Sequence, residues 1–185
     1  EDLHTVVEAV KKGEIPTERK PNPRRIFLLG HSRGGGVCLI YAFDHPRDIH
    51  GVISWNGITD VDIFTDEQKE AMRKEGRAYV LNARTQQKLP LDAEILEDME
   101  QNKDRFNILQ RVKEAQVPIV LIQGTEDGER LRKGSEMLVK NNPNIPWILV
   151  EKGNHTFGAV HPFRGTTGPL EEAIRHSKEF IAQFL

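Results

Sequence analysis

Arg25-Ile26-Phe27-Leu28-Leu29-Gly30-His31-Ser32-Arg33-Gly34-Gly35-Gly36-Val37-Cys38-Leu39-Ile40-Tyr41-Ala42-Phe43 reads as a strand, a tight glycine turn and a helix. Residues 25–29 are a short apolar run of the kind that forms a buried strand, and 36–43 read as a helix. Between them Gly30-x-Ser32-x-Gly34 has the spacing of a nucleophile elbow, a sharp strand-to-helix turn. Such a turn holds its serine in a strained backbone conformation and pushes the hydroxyl out of the sheet. Glycine is expected to be needed at both 30 and 34, because a Cβ at either would clash across so tight a turn. The helix N-terminus beside Ser32 favours developing negative charge. The same pattern also fits a plain glycine-rich turn with Ser32 as a helix N-cap, so the partners of the serine decide between the two.

A serine hydroxyl is a poor nucleophile at neutral pH; it needs a base to take its proton and an acid to orient that base. In the chain order of an elbow fold the acid comes next and the histidine last. Residues 117–124 (Val-Pro-Ile-Val-Leu-Ile-Gln-Gly) read as a second buried strand, with Thr125-Glu126-Asp127-Gly128 just beyond it. Residues 147–151 read as another strand, followed by Lys152-Gly153-Asn154-His155-Thr156-Phe157-Gly158. An acid and a histidine therefore each follow the C-terminal end of a strand, the edge of an open parallel sheet where ligands bind.

On these three motifs, and from about Ile26 to its end, the chain resembles the C-terminal two-thirds of an α/β-hydrolase, on the side of the dienelactone-hydrolase-like and prolyl-oligopeptidase-like serine hydrolases. The resemblance implies a mostly parallel sheet flanked by helices. It implies Ser32 as nucleophile, Asp127 as orienting acid, His155 as general base and the backbone N–H of Arg33 as one oxyanion donor. Three positions depart from the pattern. Gln123 stands where the family often has histidine, and Arg130 where it often has a small aliphatic residue, which leaves Glu126 as a fallback acid. Ser32 stands where true dienelactone hydrolases carry cysteine. Four strands normally precede this helix, so the expectation is that they are absent from these 185 residues, together with the second oxyanion donor. The strand at 26–29 would then present an unpaired apolar edge, and the chain alone is expected to be poorly soluble or to depend on a partner segment.

Length and composition suit one soluble domain with a real core. Charged residues make up 29% of the chain and hydrophobic ones 37%, with a net charge of −2. That balance leaves no nucleic-acid footprint. No apolar run approaches the ~18 residues of a membrane span and no signal peptide is read at the start, so no membrane partner is expected and the cytoplasm is the default compartment. The single cysteine, Cys38, excludes an internal disulfide and falls inside the helix after Ser32, where it reads as a core residue. No spacing of His, Cys, Asp or Glu suggests a metal site, and no cofactor is expected.

Elsewhere, residues 1–12 show helical periodicity with Gly13 as the stop. Gly51-Val52-Ile53-Ser54-Trp55 reads as a strand ending in an Asn56-Gly57 turn. Trp55 can line the substrate pocket or pack on the sheet, and His31 can touch substrate or bond locally. Residues 58–115 break the strand–helix alternation. They hold a polar helix from Thr65 as N-cap to Gly76 and a charged helical segment over 92–107. They read as a helical cap or lid inserted in a core made of 1–57 and 116–185, with a solvated excursion as the alternative. The expected function is a serine hydrolase acting on an ester, thioester or small amide, with the carboxylic ester preferred because amides demand better leaving-group protonation. The alternatives are a non-catalytic binding module of the same fold and a peptidase. Oligomeric state is left open.

Overall fold

The computed structural model describes residues 1–185 except 20, 83 and 84. In chain order the elements are α1 (Asp2–Lys12), β1 (Phe27–His31), α2 (Arg33–Asp44), β2 (Gly51–Trp55), α3 (Asp66–Glu75), β3 (Arg77–Leu81) and β4 (Lys88–Asp92). There follow α4 (Glu94–Gln101), α5 (Lys103–Phe106), α6 (Ile108–Arg111), a 3-10 turn at Val112–Glu114, β5 (Ile119–Gly124), α7 (Glu129–Asn141), β6 (Trp147–Val150) and α8 (Gly168–Ala182). They divide into two compact units, Glu1–Thr59 with Ile108–Leu185, and Asp60–Asn107.

The first unit is built on a parallel sheet of order β1-β2-β5-β6. β5 is buried at every position and β2 at all but Trp55, as expected of strands covered on both faces. One cluster packs Ile53, Val120, Ile122 and Val150 with Phe157 and with Ala173 and Phe180 of α8. α2 buries Cys38, Leu39, Ile40, Tyr41 and Ala42 and packs on β1 and β2. The mostly parallel α/β architecture expected from the sequence is the one observed. α1 stops where Gly13 takes a left-handed φ of 72° and the N–H groups of Gly13 and Glu14 close on Val10 and Ala9, the Schellman pattern. Val7 is its buried contact. Leu29 on β1 is half exposed.

The glycines of the elbow play unequal parts. A Cβ on Gly30 would lie 2.2 Å from the carbonyl oxygen of Gly34, whereas a Cβ on Gly34 would meet nothing within 4 Å. The expected need for glycine at 34 is corrected accordingly: the crowding falls on the Gly34 backbone, not on its side-chain position.

The second unit is not wholly helical, as its sequence had suggested. α3 starts in a capping box, with the Thr65 hydroxyl accepting the Gln68 N–H and the Gln68 side chain accepting the Thr65 N–H. α3 is followed by the antiparallel hairpin β3–β4, in register Arg77↔Asp92 to Leu81↔Lys88. Met72, Ala78 and Leu91 form its small core. Residues 108–115, expected in the insert, pack in the first unit instead. Asn141 and Asn142 of α7 and its cap donate to the carbonyls of Leu109 and Val112, and Arg111 pairs with Asp44 at 2.9 Å. Among the described residues no helix is long and apolar enough to cross a membrane.

Three substitutions test this packing. Gly30→Ala should lose about 3 kcal/mol or more in denaturant unfolding, since a backbone carbonyl cannot move aside. Gly34→Ala should be neutral or gain up to ~1 kcal/mol as a helical glycine replaced. Equal losses at the two positions would contradict this packing. Thr65→Ala should cost about 1 kcal/mol, read as faster amide exchange in α3 while exchange in β5 is unchanged.

Candidate active site

Ser32 follows β1 and serves as the N-cap residue of α2, with φ 56° and ψ −121°. This is a sparsely populated backbone region that persists only where neighbours hold it. The neighbours are visible: the Ser32 N–H donates to the Trp55 carbonyl at 2.9 Å, and the Ser32 carbonyl accepts from Ile58 at 3.0 Å and Gly35 at 3.1 Å. The hydroxyl makes no cap bond to its own helix, so the plain N-cap alternative does not describe it. Its partner is His155 Nε2, 3.0 Å away. Arg33 is the first residue of α2, where helix N–H groups have no acceptor within the helix.

His155 lies in the loop after β6. Asn154 shapes that loop by accepting the N–H groups of Thr156 (3.1 Å) and Gly158 (2.8 Å) on its side-chain oxygen. Phe157 anchors it in the core at 1% exposure. The His155 Nδ1–H donates to Asp127 Oδ1 at 2.8 Å, which leaves Nε2 to accept the Ser32 hydroxyl proton. The imidazole side chain is 41% exposed while the Asp127 side chain is wholly buried, so the ring is open to an incoming molecule and the carboxylate is shielded from water.

Both carboxylate oxygens of Asp127 are hydrogen-bonded. Oδ1 also accepts the Gly128 N–H at 2.8 Å, and Oδ2 accepts Gln123 Nε2 at 3.1 Å. Gln123 in turn accepts Trp147 Nε1 at 3.2 Å. The fallback acid, Glu126, is exposed, and its backbone N–H is bonded to Gly153. Arg130 does not disturb the acid turn, which is closed by Asp127 N–H to Gly124 and by Arg132 Nε to the Asp127 carbonyl at 3.1 Å. The acid and base loops meet because Gly124 and Gly153 touch backbone to backbone: a Cβ on Gly124 would lie 2.0 Å from the Gly153 carbonyl oxygen.

Trp55 and His31, the two candidate substrate contacts, are both placed by protein partners. Trp55 turns its Nε1 to Ser177 on α8 at 2.9 Å and packs edge-on against Phe157, a core placement. His31 is exposed and its Nε2 bonds the His155 carbonyl at 2.6 Å. Sequence reading missed Asn56 and Gln123, each 1% exposed. Their signal was a polar residue within or ending an apolar strand, which must find partners when buried.

Outside this site, His4, His45 and Asp48 bring ligand-type atoms within 4.8 Å of one another, a grouping from separate elements that no spacing rule finds. Their geometry suits an ion poorly. The two rings stack at 21° and 4.9 Å, so their lone pairs do not converge, and Lys11 sits 2.6 Å from Asp48. Cys38 is 7% exposed, and burial pushes its thiol up to about 11. It should resist a disulfide reagent near neutral pH until the protein unfolds. Burial of the neutral thiol stabilises the fold fully below pH 9.0, and that contribution is lost as pH rises toward about 11. Cys38→Ala should flatten the stability profile over that window.

Known proteins carry this arrangement of elements widely. The chain resembles the esterase domain of a Rhodothermus marinus protein (16% identity, 99% of this chain, 67% of that one, TM-score 0.61). It resembles Est1E from Butyrivibrio proteoclasticus (17%, 98% and 66%, TM-score 0.65). A monoacylglycerol lipase from Paleococcus ferrophilus is similar as well (14%, 98% and 73%, TM-score 0.64). The chain thus spans about two-thirds of the length of these α/β-hydrolases. No curated protein matches it significantly. The model of the BAAT / acyl-CoA thioester hydrolase C-terminal family matches residues 17–153, well over half of the chain, taking in the elbow and the acid and stopping two residues short of His155. With parallel sheet, elbow and family model in agreement, this chain belongs to the BAAT / acyl-CoA thioester hydrolase C-terminal family, hydrolases of the α/β-hydrolase fold.

Proposed function

We propose that Ser32, His155 and Asp127 are the catalytic triad of a serine hydrolase that cleaves a carboxylic thioester or ester through an acyl-enzyme. The observation that carries this reading is the unbroken hydrogen-bonded chain from Ser32 Oγ to His155 (3.0 Å) to Asp127 (2.8 Å), launched from a strained turn. Ser32 Oγ attacks the substrate carbonyl as His155 Nε2 takes its proton. Asp127 holds the imidazole tautomer and stabilises the imidazolium. The Arg33 N–H donates to the oxyanion; one such donor is worth ~2.7–4 kcal/mol of barrier. His155 then passes the proton to the departing thiolate or alkoxide. Water, deprotonated by His155, attacks the acyl-enzyme and releases the acid and free Ser32.

The thioester reading rests on the description of the matching family, which names an acyl-CoA thioester hydrolase; the ester reading is the one expected from sequence. Thiolate is also the easier leaving group, needing less proton donation than an amine.

Ser32→Ala should abolish turnover of thioester and ester substrates and labelling by a fluorophosphonate. Asp127→Asn should lower kcat by roughly 10³–10⁴-fold with the fold intact. Turnover that survives Ser32→Ala would end the proposal. A native protein whose serine never labels would leave a binding module of hydrolase fold.

A further inference from the structure

The His155 main-chain carbonyl accepts two side-chain hydrogen bonds, from Asn56 Nδ2 at 2.9 Å and from His31 Nε2 at 2.6 Å. These donors come from different places. His31 is the residue before Ser32 in the elbow, and Asn56 follows β2. Asn56 also donates to the Asn154 carbonyl at 3.2 Å and accepts the Gly124 N–H on Oδ1 at 2.9 Å, while its own N–H donates to Ile122. One buried amide therefore ties the end of the acid strand to the base loop, and it does so from a left-handed backbone with φ 45°, a conformation asparagine tolerates better than most residues. His31 stands with its ring 4.8 Å from that of His155 at 45°. Nε2 must carry a proton to reach a carbonyl, which holds for the charged ring and for one neutral tautomer alike.

We propose that Asn56 and His31 are positioning residues that hold the base through its backbone, tying the distance between His155 and Ser32 to the elbow itself. The inference rests on the triad reading above. The physical argument is one of tolerance. A base 41% exposed on its side chain keeps Nε2 within hydrogen-bond reach of Oγ only if its main chain is held, and a misplacement of about 1 Å can cost ~10²-fold in rate. The Asp127 bond restrains the imidazole at Nδ1; the carbonyl bonds restrain the Cα from which it hangs. His31 is itself the residue beside the nucleophile, so its bond ties the main chain of the base to the elbow.

The test is the rate of fluorophosphonate labelling of Ser32, resolved into probe binding (KI) and the chemical step (kinact), with melting temperature measured on each variant. His31→Ala removes an exposed side chain and should lower kinact about tenfold with KI and melting temperature unchanged. His31→Gln restores an amide N–H donor and should recover most of that loss. Asn56→Asp keeps the acceptor for Gly124 but removes the amide donors, and should lower kinact further, by about 10²-fold. A protein that merely lost structure would instead melt earlier and bind the probe less well. Wild-type kinact in His31→Ala overturns the assignment for His31, and wild-type kinact in a folded Asn56→Asp overturns it for Asn56. If Asn56→Asp does not fold, Asn56→Ser, which also lacks the amide donors, is measured in its place, and wild-type kinact there overturns the assignment for Asn56. A wild-type protein that never labels overturns the triad reading, and this inference falls with it; labelling in wild type with no effect in any variant overturns this inference only.

Discussion

A strand has to turn into a helix within about two residues at Gly30–Arg33, and the site depends on that turn staying shut. The Gly30 backbone lies so close to the Gly34 carbonyl that a methyl group would sit 2.2 Å from the oxygen. Ser32 is held in a backbone state of positive φ that serine does not choose, at a strain of order 1–3 kcal/mol. The strain is supported from β2, whose end supplies an acceptor for Ser32 N–H in Trp55 and, beyond it, a donor for the Ser32 carbonyl in Ile58. Because β2 lies between β1 and β5, the elbow inherits the rigidity of the most buried part of the sheet.

The same region solves a second problem, how to keep polar groups at the end of an apolar sheet without leaving any unpaired. Asp127, Gln123 and Asn56 are all nearly inaccessible. Each is hydrogen-bonded: Gln123 between Trp147 and Asp127, Asn56 between Gly124 and the two carbonyls of the base loop. A buried polar group left without a partner costs about 1–3 kcal/mol, so such a network is stable only when complete. Completeness also makes it specific, since these bonds are all satisfied in one mutual placement of the acid and base loops. The Gly124–Gly153 contact permits that placement by letting two backbones approach without side chains between them.

The second unit follows a different economy of structure. α3 begins in a reciprocal cap and ends at Gly76 in a left-handed conformation with φ 76°. The hairpin after it buries few residues, chiefly Ala78 and Leu91, and leaves Tyr79, Leu81 and Leu89 largely exposed. The helix was legible because its start and stop signals are local. The hairpin was not, because 77–92 has weak alternation and Pro90 within the second strand, a residue that argues against a central strand.

The four parallel strands, the two flanking helices of the elbow and acid, and Ser32, Asp127 and His155 as the candidate set were readable from sequence. Their signals lie within single windows: apolar runs, glycine spacing, and a polar residue just beyond each strand. Gly34 was misjudged and Trp55 left undecided because both questions concern what lies opposite, and sequence distance says nothing of that. Asn56 and His31 meet the His155 carbonyl from 99 and 124 residues away, and Gln123 finds its second partner 24 residues on. Local pattern determined which side chains could do the chemistry. Only the parallel stacking of β1, β2, β5 and β6, which brings their C-terminal ends to one edge, decided that Asp127 rather than Glu126 faces His155 and that the His155 carbonyl meets Asn56 and His31.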